Sequence, residues 1–132
     1  MKTVLTFGSF DHLHPGHIYY LTEAKSFGDK LVVIVARDKT IEEVKHQKPK
    51  YNEKERLSHV KALGMVDEAY LGSEGDKYDI VEKIKPDIIC LGYDQTAFTG
   101  ELKGELEKRN LKAHIIRLRA FHPEKYKSSK LK

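Results

Sequence analysis

A chain of 132 residues with 39% apolar content fits a single globular domain, residues 1–132, built around one core, so one site must carry its function. A formal charge of +4 suits phosphorylated partners, but Lys and Glu alternate rather than cluster. RNP aromatics, a C₂H₂ spacing and a KH loop are all absent, so a nucleic-acid module is not expected. One cysteine excludes an internal disulfide framework, and no apolar run approaches bilayer length or signal-peptide form, so a cytoplasmic protein without membrane attachment is expected.

Thr3-Val4-Leu5-Thr6-Phe7 is β-branched and aromatic and ends at Gly8, which predicts a first strand over 2–7. Phe7 to His17 follow, reading Phe-Gly-Ser-Phe-Asp-His-Leu-His-Pro-Gly-His. Ile18, Leu21, Ala24 and Phe27 then recur at helical spacing, giving a helix over 16–27 that Gly28 would end at its C′ position. Pro15 suits the first helical position, where its missing amide hydrogen costs nothing. The amides of Gly16 and His17 then face out from the positive end of the helix dipole, and an anion binds there readily. Gly16 lets a phosphate approach without meeting a Cβ. His14 and His17 can both aim at one phosphate and strengthen as charge builds during transfer. Two other readings are capping histidines on a surface helix, or metal ligation by His12, His14 and His17. The chain offers no paired cysteines and no His-Glu-x-x-His to complete a metal site, so no protein-held metal is expected.

Leu31 to Ala36 is continuously apolar, the pattern of a strand buried on both faces. Further strands are predicted near 69–71 and over 87–91 and 113–117, with helices over 53–63, 77–85 and 100–110. This alternation predicts an α/β fold: a five-stranded parallel sheet, Rossmann-like, with helices on both faces. Ligands of such sheets sit beyond the carboxyl ends of the strands, where strand order reverses. The residues placed there are His14 and His17 after the first strand, Arg37-Asp38 after the second, Gly92-Tyr93-Asp94-Gln95 after the fourth, and Arg117 to Arg119 after the fifth. Asp94 can accept from ribose hydroxyls or a base amine. Asn52 and Glu55 form a capping box that puts Arg56 in the early turns of its helix. Cys90 lies within Ile88 to Leu91 and reads as a buried small hydrophobe. The Gly72-Ser73-Glu74-Gly75 cluster reads as a surface loop.

The pair Gly8-Ser9-Phe10-Asp11 and His14-Pro15-Gly16-His17 resembles the hallmark of the nucleotidylyltransferase superfamily, Gly-Thr-Phe-Asp followed by His-x-Gly-His. That superfamily includes cytidylyltransferases, adenylyltransferases and archaeal FAD synthases. Ser9 stands where threonine is usual and keeps the hydroxyl, and His12 stands where an aliphatic residue is more common. The resemblance implies transfer of a nucleotidyl group from a nucleoside triphosphate to a phosphorylated acceptor. Ser9, Phe10, His14, Pro15, Gly16 and His17 would then bind the nucleotide.

Lys48 to Leu57 resembles the superfamily's second phosphate-handling region, which implies that Lys48 neutralises the β- and γ-phosphates and Arg56 clamps them. The segment from Arg119 to Ser128 and Ser129 resembles its closing signature, implying a second grip on the triphosphate. The Gly-x-Asp-Gln form at Gly92 to Gln95 and the long gap from Arg119 to Ser128 both resemble archaeal FAD synthases, which implies ATP and FMN as substrates. Tyr93, Phe98, Phe121 and Tyr126 are candidates to stack a flavin. CTP with glycerol 3-phosphate or a sugar phosphate is the alternative, and a nucleotide sensor without turnover is a third. A divalent ion, Mg²⁺ by preference, would be held mainly by the substrate phosphates. A homodimer is implied by the resemblance alone.

Overall fold

The computed structural model describes residues 1–11, 13, 15–73, 78–91 and 99–118. Five strands form one parallel sheet: β1 (Thr3–Gly8), β2 (Lys30–Val35), β3 (Glu68–Leu71), β4 (Ile88–Leu91) and β5 (His114–Arg117). Their order across the sheet is β3-β2-β1-β4-β5, with every neighbouring pair parallel. The helices are α1 (Pro15–Lys25), α2 (Asp38–Lys45), α3 (Glu53–Lys61), α4 (Asp79–Ile84) and α5 (Thr99–Lys108).

Successive side chains of a strand point to opposite faces, and β1 shows how the two cores divide. Val4 packs with Leu21 and Ala24 of α1 and Val60 of α3, whereas Leu5 and Phe7 pack with Val81 of α4 and Leu102 and Leu106 of α5. The sheet is therefore covered on both sides, as the alternation of elements predicts. Thr6 is fully buried on the α1 side, where its hydroxyl meets Tyr20 Oη and donates to the Cys90 carbonyl. A polar strand residue is thus satisfied within the sheet. No described helix is long and apolar enough to cross a membrane.

Two local expectations are corrected. Helix α1 ends at Lys25, and Gly28 does not adopt the left-handed C′ conformation. A Cβ on Gly28 would instead stand 2.7 Å from Val4 Cγ2 and 2.8 Å from the Lys2 carbonyl oxygen, so glycine serves a close approach to β1. Helix α2 was not expected at all. Its N-cap, Arg37, makes no side-chain cap bond, and the Asp38 amide donates to Glu53 Oε1 of α3 at 3.0 Å instead.

Candidate active site

Strand order reverses at β1: the chain runs outward through β2 and β3, then returns to place β4 on the other side of β1. The opening at the carboxyl ends of β1 and β4 is where this architecture takes its ligand. The hallmark loop leaves β1 at that point, and α1 begins at Pro15 as its position predicts.

Phe10 shapes the loop. It is 1% exposed and its backbone has φ 48°, a left-handed conformation that a bulky residue rarely holds. The turn drives its ring back into the core beside Val4, Leu21 and Val35. Gly8 is needed for this, because a Cβ there would lie 2.6 Å from the Phe10 ring. The same ring meets the His17 imidazole edge-on, with centroids 5.4 Å apart and planes at 64°. His17 is half-buried with its Nδ1 enclosed, so the imidazole is seated against the core at the head of α1 rather than waving in solvent. Gly16 precedes it within the first turn.

The second expected region lies between α2 and α3. Lys48 is exposed. Asn52 caps α3, accepting from the Glu55 amide at 2.8 Å while Glu55 accepts from the Asn52 amide, so the capping box is present as read. Arg56 is fully buried. Its Nε donates to the Tyr51 carbonyl at 2.9 Å and Nη1 to the carbonyls of Ser9 at 2.8 Å and Ala36 at 2.6 Å. Its Nη2 pairs with Asp38 Oδ1 at 2.7 Å. A guanidinium presents rigidly forked donors, and this fork is spread over four segments of the fold. The sequence suggests a phosphate-facing arginine; the structure ties it to the hallmark loop, the end of β2 and the start of α2.

Residues that sequence reasoning left without a role complete this frame. Asp11 accepts from the amides of Lys50 at 2.7 Å and Tyr51 at 2.8 Å. Glu53 receives Arg37 Nη1 at 3.2 Å as well as the Asp38 amide, and Arg37 Nε donates to the Gly72 carbonyl at 2.6 Å. Arg37 and Asp38 thus join strand ends to one another. Asp11 stood inside the quoted hallmark, but its partners lie about forty residues away and no local pattern announces them.

Of the other expected residues, His12, His14, Asp94, Arg119, Ser128 and Ser129 lie outside the described residues, as do Tyr93, Phe98, Phe121 and Tyr126 and the second half of the 72–75 cluster, Glu74 and Gly75. Among the described residues no group of three or more His, Cys, Asp or Glu side chains is placed to hold a metal ion. Cys90 is buried, and burial pushes its thiol up to about 11.

The cytidylyltransferase-like family profile matches residues 5–132. FAD synthase from Methanosarcina barkeri is 50% identical over 118 residues, covering 89% of this chain and 84% of that one. FAD synthase from Methanothermus fervidus is 54% identical over 117 residues, covering 86% and 80%. Among solved structures, a lipopolysaccharide core biosynthesis protein from Thermoplasma volcanium superposes with a TM-score of 0.86 at 43% identity, covering 92% of this chain and 99% of its own.

Proposed function

The chain belongs to the cytidylyltransferase-like family, and from that premise we propose that it transfers the adenylyl group of ATP to FMN, forming FAD. A phosphate oxygen of FMN attacks the α-phosphorus of ATP, the bond to the β-phosphate oxygen breaks, and pyrophosphate leaves. Identity of about half the residues to FAD synthases, over most of both chains, carries the choice of substrates.

The residues divide this work by chemistry. Ser9 and the amides of Gly16 and His17 bind phosphate at the head of α1, where helix-start amides and the positive end of the helix dipole point the same way. Phe10 and Pro15 fix the backbone that presents them. His14 and His17 donate to oxygens that gain negative charge in the transition state, which is where preorganised donors lower the barrier. The seating of His17 on the Phe10 ring supports this, since a donor that need not reorganise contributes most. Lys48 and Arg119 balance charge on the departing pyrophosphate, the hydroxyls of Ser128 and Ser129 bind the triphosphate, and Asp94 meets the nucleoside. Arg56 serves the same phosphates indirectly, by holding the Ser9 carbonyl and hence the loop. ATP arrives as its Mg²⁺ complex, because Mg²⁺ keeps its waters and is well served by phosphate oxygens. Positioning and electrostatics supply the acceleration, without a covalent enzyme intermediate. The protein acts in the cytoplasm, as one domain per chain and two chains per enzyme.

Pyrophosphate release tests the reaction. ATP and CTP are each offered with FMN and with glycerol 3-phosphate. Turnover of ATP with FMN is expected, whereas turnover with CTP alone, or tight nucleotide binding without any turnover, rejects the assignment. His17→Ala should lower kcat by about a hundredfold or more, the scale of one lost transition-state donor. Light scattering should return twice the 15.2 kDa chain mass; a monomer would remove the dimer.

A further inference from the structure

We propose that Asp11 is a positioning residue that sets the place of Lys48, an inference that rests on the phosphate role given to Lys48 above. The two carboxylate oxygens of Asp11 take two consecutive amides: Oδ2 accepts from Lys50 and Oδ1 from Tyr51. An aspartate that merely shapes its own turn bonds an amide two or three residues on. Here the partners are 39 and 40 residues along the chain, in the segment entering α3.

That grip is one of two between the same stretches of chain. Arg56, one turn into α3, donates to the Ser9 carbonyl and also holds the Tyr51 carbonyl. Residues 9–11 and 50–56 are therefore joined at both ends, and the hallmark loop and the lysine loop behave as one body. From the gripped Lys50 amide the chain has little freedom before it reaches Lys48. Pro49 fixes its own φ and drives the preceding residue to extended backbone, and two residues span roughly 7 Å at most. The exposed Lys48 is thus tethered within roughly 7 Å of an amide that the hallmark loop holds, by a carboxylate that need not touch substrate itself. A flexible ammonium gains most from such a fixed base, because its stem already carries much rotamer freedom.

Two measurements decide this. In amide hydrogen exchange, Asp11→Ala should speed exchange at Lys50 and Tyr51 by about tenfold or more, the value of a charged acceptor, while β1 and β2 amides keep their protection. Unchanged exchange at those two amides overturns the proposal. In pyrophosphate release with ATP and FMN, Asp11→Ala should lower kcat/KM by about tenfold or more in the wild-type background. It should add less than about threefold once Lys48→Ala is present, because both substitutions spoil one device. Full additivity overturns the proposal and would mean that Asp11 acts on its own. Asp11→Asn keeps the size and one acceptor oxygen, so it should fold normally and fall between the two in both measurements. If ATP and FMN do not turn over in the wild type, the functional reading fails, and the exchange result still decides whether Asp11 holds the loop.

Discussion

Replacing Arg56 by alanine removes four hydrogen bonds at once, to Ser9, Ala36, Tyr51 and Asp38, from a side chain with no exposed surface. Asp38 is one-third exposed and can recover water, but the carbonyls lose a charged donor and a guanidinium-sized void opens beneath the hallmark loop. Breaking a buried pair from one side costs about 3–5 kcal/mol. With roughly 2 cal/mol/K of unfolding entropy per residue over 132 residues, about 4 kcal/mol lowers Tm by roughly 15 °C. Arg56→Lys keeps the charge beside Asp38 but cannot reach three carbonyls with a compact ammonium, so about half that loss is expected. Calorimetry and pyrophosphate release on the same preparations check both values. If Arg56→Ala shifts Tm by less than about 2 °C while kcat/KM collapses, the guanidinium works on the substrate, and the structural role given to it here is refuted.

Gly8→Ala brings a Cβ to 2.6 Å from the Phe10 ring, and the displaced ring carries His17 with it. Overpacking of this kind costs about 1–3 kcal/mol, and kcat should fall more steeply than Tm, as thermal melts and initial rates on one preparation would show. Cys90 gives a pH signature. Its folded-state thiol is raised by burial to about 11 from an ordinary value of 9.0, so the folded state holds the proton more tightly. Its contribution to stability is complete below pH 9 and is lost as pH rises from there toward 11. Urea unfolding should show a falling alkaline limb over that interval that Cys90→Ala flattens; an unaltered limb would exclude the thiol as its source.

Where local pattern and tertiary need agree, the residues alone announce the outcome. The continuous apolar run at Leu31 to Val35 gives the doubly buried β2, the Asn52 and Glu55 pair gives the cap of α3, and Pro15 opens α1. Helix α2 escapes notice because its first amide is satisfied by Glu53, fifteen residues away, so no capping residue marks its start. Arg56 misleads for a related reason. Within Glu-Lys-Glu-Arg it has the look of a solvated helix face, and it is drawn inside by the nearby Tyr51 carbonyl and by two carbonyls distant in sequence, those of Ser9 and Ala36. The place of His17 in the first turn of α1 is legible because a strand, a turn and a helix start must coincide around it. The partners of Asp11 are not, since two bare amides leave no trace in residue identity.

The borrowed cap of α2 also bears on how the chain assembles as it is made. A nascent chain that has emerged only as far as residue 50 owns the whole of α2 but neither Glu53 nor Arg56, the two groups that secure Asp38. Short helices are marginal by themselves, so this turn of chain should stay unformed on the ribosome until α3 has followed it out. The frame around Asp38 then closes in one step, before β4 has been made.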